Sequence, residues 1–387
     1  MKHIITFPIL LRLAMIWLVV GIFILFGSSF LATTMSYTTA TTVFVVVLIT
    51  IIVASFGVVA QADKLAHLLG EPYGTLILTL SIVSIEVVLI AAVMLGPSES
   101  PNIGKDSIFS VMMIIMNLVI GLCILLGSSK HKEQEYNAQG TLTYFSMIII
   151  LGGLALILPN FIVGKGLGEF SRAQAITIAS LVLMIYALFL KYQMTDYKHL
   201  YIQPPAGSMR IPYPRQQEIT TEEVAFKKDS ENTVVSRGEV LTRIVLLLLM
   251  ILPIVLLSHD MAIVVDFGIQ SANLPPALSG VLIAIIVFTP ESMTAVKAAL
   301  NNEFQRTINL CHGAFVSTVG LTVPAVLIVG LIMSKTVRFG LTHAELVLFV
   351  LTLFLSLVTF LGKRTSPILG IIHLALFAVF ILLLFNP

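Results

Sequence analysis

Apolar residues in this chain are not striped or alternated. They are massed in runs of about twenty residues, set apart by short polar breaks. A helix on the surface of a soluble core is apolar along one stripe only. Runs that are apolar on every side, and about 20 residues long, match the hydrocarbon thickness of a bilayer. The pattern predicts eleven membrane-spanning helices, over 8–31, 37–60, 74–96, 107–127, 142–164, 173–191, 240–265, 274–298, 308–333, 342–361 and 366–385. The adjacent pair His259 and Asp260 leaves open a kink or an early end in the seventh. The first run is long for an export signal and lacks a clear cleavage site, so it reads as a retained span. The predicted fold class is an all-α polytopic membrane protein.

Composition strengthens this reading. Of 387 residues, 57% are hydrophobic and 11% charged, where soluble domains carry about 25% charged residues. Cys123 and Cys311 lie inside apolar runs and read as small core residues; neither has the spacing of a metal or redox motif. The sequence contains no glycine-rich phosphate loop, no basic patch suited to nucleic acid and no convincing nucleophile–base set. It therefore points away from an enzyme and from a nucleic-acid partner, and towards the lipid bilayer.

Charge placement adds sidedness. With the N-terminus cytoplasmic, only Lys105, Lys165, Arg172, Lys335 and Arg338 of the 22 Lys and Arg residues fall outside. The positive-inside rule thus favours a cytoplasmic N-terminus and an outer C-terminus, in a cell inner membrane. The stretch 192–239, with Pro204, Pro205, Pro212 and Pro214 followed by mixed charge, reads as a cytoplasmic linker. It separates five spans from five. An odd number per half makes equivalent spans cross in opposite directions, as in an inverted repeat. The expected organisation is an N-terminal helix within 1–35, a first five-helix repeat over 36–191, the linker, and a second repeat over 240–387.

Two acids then stand out. Glu86 lies deep in GTLILTLSIVSIEVVLIAAVML and Glu291 deep in LSGVLIAIIVFTPESMTAV, each in the second span of its half. An ionised carboxylate at mid-bilayer costs about 2.5–3.5 kcal/mol on insertion scales. No lysine or arginine sits at the centre of either span to offset it, and Lys297 can snorkel to the membrane edge. A proton or a bound cation remains as the balancing charge. If the protonated and cation-loaded forms change access while the bare pair cannot, the outcome is exchange of a cation for protons. Oxygen ligands suit hard cations such as calcium, with sodium or potassium as the alternative; a channel is the structurally different rival.

Several neighbours are candidate supporting residues. Pro290 removes a helix hydrogen bond beside Glu291, which an irregular turn would convert into free carbonyl ligands. Thr289 and Ser292 add hydroxyls there, and Thr79 falls on roughly the same helix face as Glu86. Such hydroxyls also commonly bond their own helix. Asn117 can orient a carboxylate or water. Ser317 and Thr318 lie in the span after Glu291, as does His312. An imidazole has an ordinary pKa near 6.5, so His312 either relays protons or packs helices. Gly121, Gly313 and Gly320 permit close helix approach.

Three stretches carry a family likeness. ADKLAHLLGEPYGTLILTLSIVSIEVVLI (62–90), FTPESMTAVKAALNNEFQRTINLCHGAFVSTVGLTVP (288–324) and TFLGKRTSPILGIIHLALFAVFILLLF (359–385) resemble bacterial calcium/proton antiporters of the ChaA type, within the calcium/cation antiporter superfamily. The resemblance implies an N-terminal helix with two inverted five-helix repeats. It also implies cation export driven by proton entry, transported calcium with sodium or potassium as relatives, and no permanently bound cofactor. The acids of the family signatures fall on Glu86 and Glu291. The chain departs from the wider superfamily's Gly-Asn pair before each acid, having Ile82-Val83-Ser84-Ile85 and Val287-Phe288-Thr289-Pro290. It likewise has Met116-Asn117 and Gly313-Ala314 where a Gly-Ser pair is common. Fewer amide and hydroxyl ligands are on offer as a result.

Overall fold

A bilayer offers no partner for backbone N–H and C=O groups, and a helix satisfies them within one segment. The apolar runs accordingly fold as helices. The computed structural model describes residues 5–31, 35–69, 73–96, 100–162, 168–204, 237–362 and 364–386, with the side chains of 66, 67, 69, 73–79 and 237 outside the described set. The eleven long helices are α1 (Phe7–Phe30), α2 (Tyr37–Leu69), α3 (Tyr73–Met94), α4 (Ile103–His131), α5 (Ala138–Asn160), α6 (Arg172–Met194), α7 (Arg237–Ser271), α8 (Leu278–Leu300), α9 (Phe304–Ile332), α10 (His343–Leu361) and α11 (Pro367–Phe385). Ten are long and apolar enough among the described residues to cross a membrane; the described apolar part of α3 runs Leu80–Met94.

Each predicted run becomes one helix, with two differences of extent. Helix α2 continues to Leu69, well past the apolar part of its run. Helix α7 runs unbroken through His259, Asp260 and an internal Pro253 to Ser271. Local chemistry sets several starts. Ser171 with Gln174 and Thr342 with Glu345 form capping boxes at α6 and α10, and the Asn137 side chain caps α5.

Helices α4 and α9 are interrupted at their middles by π-helical turns, Met113–Val119 and Thr318–Thr322. These are the most enclosed part of the bundle: 83% of the α4 span is buried inside the protein, against 17% of the peripheral α1. Packing crosses between the two groups of five. Helix α2 lies along α7, α4 against α8 and α11, α9 against α3 and α6, and α5 against α10. Helix α4 approaches α8 closely enough that a Cβ added to Gly280 would stand 2.5 Å from the backbone of Asp106 and Ser107. Gly121 and Gly370 similarly let α4 and α11 meet.

Connectors lock the two ends of the bundle. At one face Arg364 reaches Glu133, Gln134 donates to the Ala299 carbonyl, and Lys130 and His131 meet the Leu300 carbonyl. At the other, Arg338 pairs with Glu169 and Phe339 N–H donates to the Gly168 carbonyl. A buried ion triad also ties α4 to α10 there. The Lys105 ammonium lies 2.8 Å from both oxygens of Glu345 and 3.0 Å from Asp106 Oδ1. Glu345 Oε2 at the same time accepts from the Thr342 backbone N–H.

Two outcomes test this packing. Gly280→Val forces α4 and α8 apart, and overpacking of this kind costs about 1–3 kcal/mol; a thermal melt in detergent is expected to fall clearly below wild type. Lys105→Met leaves the buried Asp106 and the half-buried Glu345 without their cation, and the melting temperature is expected to fall clearly below wild type. Its melting temperature should recover partly at acid pH, where the stranded groups take up protons, and an unchanged melt at neutral pH would show that the triad does not hold α4 to α10.

Candidate functional site

Helices α3 and α8 cross at the centre of the bundle and carry one acid each. Ile82, Val83, Ile85, Leu89 and Ile90 bury α3 around Glu86, which is 0% exposed. On α8, Ile286, Val287 and Phe288 bury the stretch before Glu291. The two carboxylates lie within electrostatic reach of one another. The sequence-predicted pair is therefore brought together rather than turned to lipid.

The surroundings of the two acids differ. Thr318 and Thr322, both in the π-helical turn of α9, donate their hydroxyls to Glu86 Oε2 at 2.9 and 3.1 Å. Glu86 Oε1 and Glu291 Oε2 are buried with no hydrogen-bond partner among the described residues. Cys311 of α9 and Cys123 of α4 lie within electrostatic reach of each other, and Glu291 reaches Cys311. Among the described residues no group of three or more His, Cys, Asp or Glu side chains is arranged to hold a metal ion. The locus offers two carboxylates and two threonine hydroxyls, a hard oxygen set.

The other candidates fall in different places. Helix α8 continues through Pro290 to Leu300, so no irregular turn forms at that proline. Irregular backbone occurs instead in the π-helical turns of α4 and α9, with a third such turn in α5 at Gly153–Ile157. π-helical turns cluster at functional sites. Thr289 donates to the Ile285 carbonyl and Ser317 to the Ala314 carbonyl, so both hydroxyls are spent on their own helices. Ser292 is half-buried on α8. The Thr79 side chain lies outside the described residues. Asn117 turns away from the acids, donating to Thr352 Oγ1 at 2.9 Å and meeting His373 Nδ1 through Oδ1 at 3.3 Å. His312 is fully buried between the rings of Tyr144, Phe145 and Phe360.

Sequence reasoning assigned no ligand role to Thr318 and passed over Thr322. The signal was present: Thr318 and Thr322 stand at the same sequence distance from Glu291 as Met113 and Asn117 stand from Glu86. Reading it required knowing that the second half's threonines serve the first half's acid, which follows from the crossing of α9 onto α3.

Comparison with known proteins agrees with this architecture. The chain is 32% identical over 338 residues to the sodium-potassium/proton antiporter ChaA of Escherichia coli strain K12, covering 87% of each chain. It is 30% identical over 331 residues to a putative ionic transporter, y4hA, of Sinorhizobium fredii, covering 85% of each. The solved structure of native YfkE superposes with a TM-score of 0.70 at 16% identity, over 97% of this chain and 100% of that one, a likeness of fold. The family model for the sodium/calcium exchanger protein matches residues 39–195 and 234–386. With matched segments that take in both acids and both π-helical turns, the chain belongs to the sodium/calcium exchanger protein family.

Proposed function

We propose that this protein is a secondary active antiporter that exchanges a cation for protons by alternating access, with Glu86 and Glu291 holding the cation and the protons in turn. The observation that carries the reading is the pair of buried, unpartnered carboxylate oxygens, Glu86 Oε1 and Glu291 Oε2, on crossing helices. Two like charges at one dry site do not persist without a counter-charge. A divalent cation between them neutralises both, and a monovalent cation does so together with one proton; when the cation leaves, protons replace it. Each loaded form is close to neutral and crosses the apolar core readily, and the bare pair does not. That difference couples the two fluxes without a second binding site.

The cargo is the finer part of the reading. Calcium is the first assignment, since two carboxylates match a divalent charge and the oxygen set is hard. Sodium or potassium is the second, and two observations favour it. Asn117 is turned away, so few neutral ligands surround the acids, and the 32% identical relative is named a sodium-potassium/proton antiporter. We place the chain with the ChaA-type group on the three stretches quoted above and on that identity. The remaining assignments follow the helix order: α1 as an addition within 1–35, repeats over 36–191 and 240–387, the linker 192–239 between them, and an inner-membrane orientation with a cytoplasmic N-terminus.

Flux of Ca2+, Na+ and K+ into reconstituted vesicles under an imposed pH gradient separates the cargoes. Glu291→Gln and Glu86→Gln are each expected to abolish exchange in protein that still inserts and runs as a single species, because an amide neither cycles a proton nor neutralises a cation. Full proton-coupled flux in either variant would remove that acid from the mechanism. Thr322→Val takes one hydrogen bond from the ionised form of Glu86. Bonds to charged groups are worth about 1.5–3 kcal/mol, so the half-saturating cation concentration should rise about tenfold or more. In wild type the same concentration should rise as pH falls, since protons compete for the same oxygens; a pH-independent value would separate the proton site from the cation site.

A further inference from the structure

A second buried polar cluster lies off the carboxylate pair, and nothing in the exchange reading uses it. Helix α10 turns three hydroxyls, Thr352, Ser356 and Thr359, into the protein on one face, and all are buried. Thr352 meets Asn117 of α4. Thr359 Oγ1 stands 3.0 Å from His373 Nε2, and His373 Nδ1 stands 3.3 Å from Asn117 Oδ1. Ser356 Oγ has no partner among the described residues. His312 of α9 packs on Phe360, one turn of α10 beyond Ser356, and lies within electrostatic reach of His373. The Ile308 carbonyl of its own helix lies beside the His312 ring as its nearest acceptor, in poor hydrogen-bond geometry, and no other described residue bonds the ring nitrogens. The under-satisfied polar atoms of His312 and Ser356 in this buried region call for a partner, because such groups are otherwise costly.

The bonding around His373 tolerates a change of charge without movement of heavy atoms. In the neutral ring, Nδ1–H donates to Asn117 Oδ1 and Nε2 accepts the Thr359 hydroxyl. In the protonated ring both nitrogens donate, and the Thr359 hydroxyl hydrogen swings to the Leu355 carbonyl, 2.8 Å away. Each state is fully satisfied, and only one hydrogen moves. Burial in an apolar shell makes the charged ring transient rather than resident. His312 can take a proton on one nitrogen as it releases one from the other.

We propose that His312, Ser356, Thr359 and His373 form a proton relay, completed by water, and that it carries protons but not the cation. The cluster has no anionic oxygen to neutralise a hard metal ion. The titratable groups around it include Tyr136, whose ring meets Phe360 and whose hydroxyl donates to the Thr359 and Gly362 carbonyls. Tyr144 of α5 stacks on His312 with its hydroxyl held by Gln193, and the two imidazoles lie within electrostatic reach of each other. Glu291 of α8 and Cys123 of α4 reach Cys311. Among the described residues no carboxylate, lysine or arginine pairs with either ring. Such a relay deepens the exchange reading and rests on it, since it serves a proton flux which that reading supplies.

The test uses the full chain in vesicles and two modes of transport. Proton-coupled flux of Ca2+, and separately of Na+ and K+, is measured across a range of pH. Tracer self-exchange of the same cation, which moves no protons, is measured without a gradient. His312→Phe fills the aromatic cage, and His373→Gln keeps hydrogen-bonding capacity without titrating. Each is expected to slow coupled flux by about tenfold or more and to shift its pH profile, with self-exchange held within about twofold of wild type. Unchanged coupled flux and pH profile would overturn the relay. So would equal losses in both modes, which mark a structural role. Wild-type vesicles with no proton coupling would overturn the exchange reading itself, whereas coupled wild type with indifferent variants overturns the relay alone.

Discussion

The controlling constraint is the cost of an ionised oxygen in an apolar interior. Glu86 is sealed from solvent at the crossing of α3 with α8 and α9, and the carboxylate nearest to it belongs to a second acid. The other deeply buried ionic cluster, at Lys105, brings its own cation. The central pair has none, and this is the difference between a structural ion triad and a site that must draw its counter-charge from outside.

Close helix approach makes the pair possible. Gly280 lets α8 sit directly on the backbone of α4 and brings the helix carrying Glu291 to the axis of the bundle. The π-helical turns then re-aim the flanking side chains. In α9 the turn directs Thr318 and Thr322 together onto one oxygen of Glu86. A uniform α-helix places residues four apart on neighbouring rather than identical bearings, so the local change of pitch is part of how two hydroxyls converge.

The helices were legible because lipid leaves the backbone one solution for each long apolar run. All eleven appear with ends shifted by a few residues, apart from the polar extensions of α2 and α7 that no hydropathy pattern marks. The two acids were legible for the same reason, as charge without compensation in the primary sequence. Their neighbours were not. Thr289 and Ser317 looked like ligands by proximity along the chain, yet each bonds a carbonyl of its own helix, the common fate of a hydroxyl in an apolar span. Thr318 and Thr322 reach Glu86 from more than two hundred residues away, across a helix crossing that periodicity cannot specify. Asn117 showed that it needed a partner, but not that Thr352 and His373 would be that partner.

The arrangement is asymmetric in a way that bears on how the pair works. The positions that supply two hydroxyls to Glu86 correspond by sequence spacing to Met113 and Asn117, and Glu291 receives neither of those side chains. Glu86, fully buried, is thus partly solvated by two protein hydroxyls, while Glu291, half-buried, has one buried oxygen that no described residue bonds. On the proposed reading, a cation entering the site would gain most by approaching Glu291, which has no internal donor to displace, and then by sharing the free oxygen of Glu86. Departure would reverse that order. The oxygen of Glu86 that accepts from Thr318 and Thr322 would then serve as the anchor of the proposed site and Glu291 as its variable half.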